Sequence, residues 1–311
     1  MSLFKKVLRS LRNGTFISKI KIRIIFKQVG KFKKNNKEKE YLIKLGKVNL
    51  GYVMDLDNPK TFNEKLNWYK LNYKNDLMVK CVDKVLVDEY VKNKNLGHIL
   101  TKKYAIWNNP DEIDISTLPD KFVIKTNHDS GGVVICKTKE DFNRKKMKFI
   151  EKHFKKDSCG VYLEAPYKLV EKKIFAEEFI ETDDGHAPND YKIFCFNGEP
   201  KFLFVGTERD IDVKFDFFDT KWNWLDLRQG HENSKNRPVK PNNFEEMLEI
   251  AKVLSKDFPH VRVDLYNENG KIRFGELTFY HFAALTPFDP IEFDYKFGEY
   301  FDIKNIGVKN D

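Results

Sequence analysis

Cysteine is scarce in this sequence, and long apolar runs are absent from it. The chain has 311 residues but only four Cys, at positions 81, 136, 159 and 195, and their spacing is not that of a metal site. We therefore expect reduced thiols in a cytoplasmic protein. No stretch of about 20 apolar residues is present, and the first residues lack the apolar core and cleavage site of a signal peptide. The sequence therefore predicts neither a membrane-spanning helix nor export.

Acidic residues are scarce in the first 44 positions, which contain 14 Lys or Arg and only two acids. The remaining residues contain 42 basic and 45 acidic residues, so the net charge of +9 belongs to the first segment. A near-neutral body argues against nucleic acid as a partner. Apolar residues recur at helical spacing among the basic ones, at Phe4, Leu8 and Leu11 and again at Phe16 and Ile20. Residues 1–35 therefore fit a basic amphipathic helix on an anionic membrane, or a basic arm packed on the body or on a partner, with nucleic-acid binding by this arm as a third alternative.

A β-hairpin is predicted near the C-terminus. Apolar and polar residues alternate from Val261 to Tyr266, and Asn269-Gly270 is a strong turn signal. Residues two apart on a strand share a face, so Arg262 lies beside Asp264, and Glu276 lies beside Thr278. If the strands pair as the turn indicates, one cation, two carboxylates and a hydroxyl meet on one side of a sheet. Such a group suits a magnesium ion that carries phosphates, although an ordinary hairpin with a solvated charged face is the alternative.

A glycine-rich turn between two short apolar strands is the second notable pattern. The strand Phe122–Lys125 ends in a lysine, residues 126–132 include Ser130, Gly131 and Gly132, and residues 133–136 form the next strand. Backbone amides in such a loop can surround phosphates, although glycine pairs also occur in plain turns. The lysine precedes the glycines and no Gly-Lys-Ser/Thr follows, so this is not a Walker loop.

Other elements follow from capping and periodicity. Thr61 and Glu64 have capping-box spacing and predict a helix start, and further helices are expected over residues 77–93 and 242–257. Residues 168–181 predict an apolar strand with an acidic end, which could meet a purine edge or could be an edge strand. A second Asn-Gly hairpin is predicted over residues 190–205.

Taken in order, these pieces resemble the ATP-grasp superfamily, and more narrowly its TupA-like branch, which is linked to teichuronopeptide and other bacterial surface-polysaccharide biosynthesis. The resemblance covers about Lys60 to Tyr295. The matching motifs are Asp83-Lys84, Lys125 before the glycine loop, Glu177–Ile180, Arg262-x-Asp264 and Glu276-x-Thr278. Thr278 stands where relatives have Asn. Residues 1–80 read as helical and basic, whereas many relatives begin with an alternating β/α domain.

The resemblance implies an α+β ATP-grasp fold in which two β-rich lobes clasp ATP behind a helical basic N-terminal segment. Domain boundaries are expected at 1–45, 46–120, 121–300 and 301–311. The cofactors implied are ATP and Mg²⁺. ATP would contact Lys84, Lys125, Ser130, Gly131, Gly132, Glu177, Glu178, Phe179, Ile180 and Asp184, with Asp183 as the alternative to Asp184 on the ribose. The metal would be held by Asp264, Glu276 and Thr278. Arg262 and Lys192 are the candidate catalytic residues.

The activity implied is an ATP-dependent carboxylate–amine ligase that forms an acylphosphate. Its partners would be a sugar acid or polysaccharide acceptor and an amine or amino acid, and its place would be the cytoplasm or the inner face of the cell membrane. His128 could touch phosphate or acceptor, or have no catalytic role. His281 and Asp289 are candidates for the acceptor pocket.

Two other functions compete with the ligase. Asp210-Ile-Asp212 is a DxD triplet, which binds a metal and a sugar nucleotide in many glycosyltransferases, although acids two apart also recur by chance in a chain this charged. The other alternative is a scaffold of a polysaccharide assembly complex that binds ATP without turnover.

Overall fold

A computed structural model describes residues 16–157, 159–304 and 306. The helical spacing predicted at Phe4, Leu8 and Leu11 and part of the predicted 301–311 tail lie outside the described residues. Within them, no helix is both long enough and apolar enough to span a bilayer.

Helices dominate the first third of the chain and flank the sheets afterwards. They are α1 (Phe16–Lys27), α2 (Val29–Lys34), α3 (Glu38–Asn49), α4 (Phe62–Asn72), α5 (Asp76–Val82), α6 (Val87–Asn93), α7 (Arg144–Lys155), α8 (Cys159–Tyr162), α9 (Ala165–Lys168), α10 (Phe244–Ser255) and α11 (Glu292–Tyr300). Short 3₁₀ turns lie at Gly97–Ile99, Pro110–Glu112, Lys139–Asp141 and His281–Ala284.

Two antiparallel sheets hold the strands. The strands are β1 (Lys103–Trp107), β2 (Phe122–Thr126), β3 (Val133–Cys136), β4 (Ile174–Glu178), β5 (Asp190–Phe196), β6 (Glu199–Thr207), β7 (Lys214–Asp219), β8 (Trp224–Leu225), β9 (His260–Glu268) and β10 (Lys271–Thr278). The first sheet has the order β1-β4-β2-β3 and the second has the order β10-β9-β5-β6-β7-β8. The predicted α+β class with two β-rich lobes is confirmed, and β4 is an inner strand, so the edge-strand alternative is wrong.

The two hairpins form as their turns predict. Asn197 and Gly198, and likewise Asn269 and Gly270, have positive φ angles, which is the backbone that such two-residue turns require. In the second hairpin, a β-bulge at Gly275 sets the register so that Glu276 pairs with Asp264 and Thr278 pairs with Arg262. The sequence prediction that these four side chains share one face is therefore confirmed.

The helix that begins after Thr61 also forms as predicted. The hydroxyl of Thr61 accepts a hydrogen bond from the backbone N–H of Glu64, and the Glu64 carboxylate accepts one from the N–H of Thr61. Phe62 then packs between Phe194, Phe196 and Phe202 of the second sheet. The cap therefore fixes α4 on the aromatic core that underlies this sheet.

The single helix predicted over residues 77–93 is wrong, because the chain breaks into α5 and α6. Asp83 has an extended backbone at the end of α5, and its carboxylate accepts hydrogen bonds from the N–H groups of Val85 and Leu86. A short acidic side chain that satisfies free N–H groups favours such a break over a continuous helix. The break leaves Lys84 between the two helices.

Candidate active site

A cavity of about 530 Å³ lies between the two sheets. The first sheet contributes Lys125, and the second contributes Lys192, Asp264 and Glu276. Lys84 reaches the same cavity from the break between α5 and α6. Residues far apart in the sequence therefore meet around one space, as a ligand held between two lobes requires.

Most of the predicted site residues line this cavity. They are Lys84, Lys125, Ser130, Gly131, Glu177, Glu178, Phe179, Ile180, Lys192, Asp264 and Glu276. Gly132, Asp184, Arg262 and Thr278 are not part of its lining.

The register of three neighbouring strands places the charged groups of the second sheet side by side. Glu276 of β10 pairs with Asp264 of β9, and Asp264 pairs with Lys192 of β5. The ammonium of Lys192 contacts the carboxylate of Asp264 and lies 2.7 Å from that of Asp190. Burial lowers the pKa of Lys192, but Asp190 and Asp264 outweigh it and raise the pKa overall. This row therefore presents fixed charges to the cavity.

Arg262 lies behind this row rather than on its surface. Its Nε donates to Asp264 Oδ1 at 2.7 Å, and its Nη2 donates to Asp264 Oδ2 at 2.6 Å and to Thr278 Oγ1 at 3.0 Å. Its side chain is 8% exposed. The predicted contact of Arg262 with the transferred group stays a prediction, because in this structure Arg262 holds the Asp264 carboxylate, which lines the cavity, and the Thr278 hydroxyl beside Glu276.

Glu276 is a strongly stabilised carboxylate. Burial raises its pKa, but Lys84, Lys192, Arg262 and Lys125 together lower it to about 2. Lys84 Nζ lies 3.4 Å from one of its oxygens, and the Thr278 hydroxyl donates to the other at 3.2 Å. Glu276 is therefore ionised at neutral pH and lies where the cations of both lobes converge.

Hydrogen bonds hold the glycine loop, residues 126–132, against the rest of the site. Lys84 donates from its backbone N–H to Asn127 O and from Nζ to Asp129 O at 2.9 Å. The Asp129 carboxylate accepts from the Thr126 hydroxyl and lies 2.6 Å from His153 Nδ1. A Cβ atom at Gly132 would overlap Thr126 Oγ1 and lie 2.6 Å from Asp129 Oδ1, so the loop requires glycine there.

At the acidic end of β4, Glu177 forms contacts within the protein, and the predicted contact of this segment with a purine stays a prediction. Glu177 contacts the ammonium of Lys125 and accepts from the Thr101 hydroxyl at 2.9 Å. Burial raises the pKa of Glu177, but Lys125 and other donors lower it overall. Its carboxylate therefore holds a lysine in place, and Glu178, Phe179 and Ile180 are the members of this segment left to face a base.

The ribose prediction fits the geometry poorly. Asp184 is exposed and accepts from the N–H of His186, while Asp183 accepts from Asn269. Asp190 lines the cavity instead, and within the described part of the chain its Oδ1 is buried without a hydrogen-bond partner. The sequence reasoning missed Asp190, although its strand alternation with Lys192 would have put it on the cavity face.

Arg209 and Tyr266 also line the cavity and were not predicted. The guanidinium of Arg209 lies 3.5 Å from Asp190 and 5.3 Å above the ring of Tyr266. No local sequence pattern marks Arg209, which reaches the site from the loop between β6 and β7.

The cavity lining does not include the candidates His128, His281 and Asp289. His128 is buried beside Phe154, His281 is buried against Arg262, and Asp289 pairs with Arg228 at 2.7 Å. Of the DxD triplet, Asp210 lines the cavity, but its carboxylate lies 3.1 Å from His186 Nδ1, and Asp212 pairs with Lys214 at 3.0 Å. Neither acid of the triplet is arranged as a free metal ligand.

The donor set at the hairpin fits magnesium only if phosphates complete it. In the described ranges, no three His, Cys, Asp or Glu side chains are grouped to hold a metal. Asp264 and Glu276 supply two adjacent carboxylates, and Mg²⁺ is usually held by one or two carboxylates together with substrate phosphates. The residues present therefore suit a metal that arrives with a nucleotide.

This chain is similar to one family of known sequences and to several solved structures. The sequence model of a family described as TupA-like ATPgrasp matches residues 64–302. D-alanine–D-alanine ligase from Bacillus anthracis, complexed with ATP, is 13% identical over 64% of this chain and 54% of that chain, with a TM-score of 0.38. The corresponding enzyme from Helicobacter pylori is 14% identical over 81% and 68%, with a TM-score of 0.44. An L-amino acid ligase from Bacillus licheniformis is 14% identical over 70% and 48%, with a TM-score of 0.41. The chain thus spans about half the length of two of these relatives, and the comparison with curated proteins gave no match.

Proposed function

The chain belongs to the TupA-like ATP-grasp family and has its ATP-grasp fold, and we propose that it is an ATP-dependent ligase that joins a carboxylate to an amine. The observation that carries the proposal is the cavity between the sheets, which brings Lys84, Lys125 and Lys192 together with Asp264 and Glu276. Three cations beside two carboxylates are the groups that phosphoryl transfer needs, because its transition state is stabilised by charge neutralisation and positioning.

The nucleotide would lie with its base at Glu178–Ile180 and its phosphates along the lysines. Lys84 and Lys125 would neutralise phosphate charge, and the backbone of Ser130 and Gly131 would cover it. Asp190 would receive the ribose hydroxyls. Asp264 and Glu276 would hold Mg²⁺, which when bound would neutralise charge on the phosphates.

The reaction proposed has two steps. A carboxylate oxygen of the acceptor attacks the γ-phosphorus and ADP leaves, which gives an acylphosphate. An amine then attacks the acyl carbon, phosphate leaves with one oxygen of the original carboxylate, and the nitrogen loses a proton. Lys192 would hold the transferred group, Arg262 would keep Asp264 in place beside it, and the cavity between the sheets would limit access of water to the acylphosphate.

The resemblance to the TupA-like branch supports a sugar acid or a growing surface polysaccharide as the carboxylate and an amino acid or other amine as its partner. Both substrate classes belong to the proposal, because the cavity is large enough for more than a nucleotide's phosphates but does not by itself select one acid.

The test is a turnover screen with the full chain and Mg-ATP. Uronic acids are paired with amino acids and amines, and release of ADP and phosphate is measured. With an ¹⁸O-labelled carboxylate, the released phosphate should carry one ¹⁸O atom, because the acylphosphate transfers that oxygen. ATP binding without ADP release under every pairing would favour the scaffold, and release of a nucleoside diphosphate from sugar nucleotides would favour the glycosyltransferase.

A further inference from the structure

Arg262 is bound at both ends of its guanidinium. One edge donates to Asp264 and Thr278, and the remaining Nη1 lies 2.6 Å from His281 Nδ1. An arginine can only donate in such a contact, so His281 Nδ1 must be the acceptor. His281 is 1% exposed and lies outside the cavity lining, so it can affect the reaction only through Arg262.

The protonation of His281 is fixed by its other nitrogen. Nε2 lies 2.8 Å from Gln229 Oε1, and Gln229 Nε2 donates to the carbonyl of Thr286 at 3.0 Å, which sets the orientation of the amide. The His281 ring is therefore the neutral form with its proton on Nε2. Burial, Arg262, Lys192 and His260 all lower the pKa of His281, in agreement with this assignment.

These contacts form one series of hydrogen bonds, in which the donor and the acceptor of every bond are determined. Gln229 is fixed by Thr286 O and accepts from His281, which accepts from Arg262. Arg262 donates to Asp264 and to Thr278, and the Thr278 hydroxyl in turn donates to Glu276. The series of hydrogen bonds therefore ends on the two carboxylates that face the cavity.

The backbone around His281 is unusual in a way that matches this task. Phe282, Ala283 and Ala284 have φ angles of 48°, 52° and 53°, a left-handed run without glycine. Such a run is unfavourable and persists only where its surroundings impose it. Lys70 Nζ donates to Ala283 O and Asn67 Nδ2 donates to Ala284 O, so one face of α4 holds the turn that directs His281 onto Arg262.

We propose that His281, kept neutral and oriented by Gln229, is a positioning residue for Arg262 and through it for Asp264, Thr278 and Glu276. This inference rests on the proposed function only for its effect on turnover. A charged imidazole could not accept a hydrogen bond from Arg262 and would repel it. The series of hydrogen bonds therefore requires a neutral ring.

The first test needs neither ATP nor turnover. Ring ¹⁵N spectra of the ligand-free full chain, assigned by comparison with His281→Asn, should show Nε2 protonated and Nδ1 unprotonated at neutral pH. An imidazolium, or a proton on Nδ1, would overturn the proposal whatever the reaction proves to be.

The second test compares two substitutions at position 281. The amide oxygen of His281→Asn can still accept from Arg262, whereas His281→Phe keeps an aromatic ring and removes the acceptor. We expect His281→Phe to lower kcat by about 10-fold or more and to raise the Mg²⁺ concentration needed for half-maximal rate, because a buried charged donor loses its partner. KM for ATP should change less than kcat, and His281→Asn should restore most of the rate.

The buried His260 offers a matched control in the same core. Its Nδ1 donates to Cys195 O at 2.9 Å, and its ring packs on Phe196. His260→Phe should leave the Mg²⁺ requirement unchanged. Equal Mg²⁺ requirements in His281→Phe and the unchanged protein would overturn the positioning role, whereas absence of turnover with a correct ¹⁵N pattern would instead count against the ligase.

Discussion

At the scale of single residues, Asp264 and Glu276 face each other at one register position of the β9–β10 hairpin. They differ in surroundings, since Asp264 is closed in by Arg262 and Lys192, whereas the side chain of Glu276 is 36% exposed. Glu276 is therefore the carboxylate more open to a nucleotide-borne metal, and under the proposed function Asp264 would combine a ligand role with its structural one.

Removing one charge from either carboxylate should impair turnover. We expect Glu276→Gln to lower kcat by about 100- to 1000-fold and to raise the Mg²⁺ requirement, because the fixed charge that neutralises the transition state is lost. Asp264→Asn should lower activity similarly and also the melting temperature, since breaking the buried ion pair of Asp264 with Arg262 costs on the order of 3–5 kcal/mol. The measurement is steady-state kinetics across Mg²⁺ concentrations.

Asp210→Asn is the control for this pair, because it also removes one carboxylate charge from the cavity lining. It should change kcat and the Mg²⁺ requirement little. If Asp210 proved essential while Asp264 and Glu276 were dispensable, the ligase assignment would fall and the glycosyltransferase would replace it.

A nucleotide that lacks one ribose hydroxyl can distinguish whether Asp190 or Asp184 binds the ribose. We expect Asp190→Asn to weaken ATP binding by about 10-fold, since a hydrogen bond to a charged group contributes on the order of 1.5–3 kcal/mol. The same substitution should weaken 2′- or 3′-deoxy-ATP less than ATP, because the lost partner is already missing. Calorimetric titration of both variants measures this, and Asp184→Asn serves as the control. If only Asp184→Asn lost the difference in affinity between ATP and deoxy-ATP, the ribose would be assigned to Asp184 instead.

At the scale of elements, helix α1 of the basic N-terminal segment has both exposed and buried apolar residues. Ile20 and Ile24 of α1 are exposed beside the exposed Lys21 and Arg23, which fits a helix lying on an anionic surface. Ile25, in contrast, is buried in a core with Tyr41, Leu42 and Leu45 of α3. Deleting residues 1–35 would uncover that core, so point substitutions are the better experiment.

Charge reversal on α1 should weaken binding to anionic vesicles. Lys21→Glu with Arg23→Glu is expected to reduce co-sedimentation strongly, because each basic residue near an anionic surface contributes about 1 kcal/mol. Added salt should reduce binding of the unchanged protein, since exposed charges are screened over about 8 Å at physiological ionic strength.

The matched control is the same charge change on another basic helix, Lys145→Glu with Lys148→Glu on α7, where both side chains are exposed. It should leave sedimentation close to that of the unchanged protein. Equal loss in both double variants would point to net charge alone, and no loss in either would remove the membrane proposal.

At the scale of the whole molecule, the cavity joins two sheets that are otherwise separate layers with their own cores. A nucleotide held there should stabilise both, by about 2.7 kcal/mol at a concentration 100 times its dissociation constant. We expect Mg with a non-hydrolysable ATP analogue to slow hydrogen exchange in residues 127–132 of the first lobe and in β5 and β9 of the second. Exchange mass spectrometry measures this, and protection limited to one sheet would contradict binding between the lobes.

Patterns among neighbouring residues specify the local geometry of the site. Asn269-Gly270 requires a tight turn, and the alternation on either side of it fixed which face carries Arg262, Asp264, Glu276 and Thr278. The Thr61 cap and the strand before the glycine loop were equally readable, because capping, turns and period-two alternation depend on neighbours within a few residues.

The groups that each of these side chains contacts depend on the three-dimensional fold. Asp83 breaks a helix so that Lys84 reaches Glu276, Glu177 holds Lys125, and Arg262 is enclosed by Asp264 and His281. Asp190 enters the cavity while Asp184 stays in solvent. Periodicity states which face of an element is polar, but the contacts that bury a charge and select its partner come from strands and helices distant in the chain, and local pattern carries no information about them.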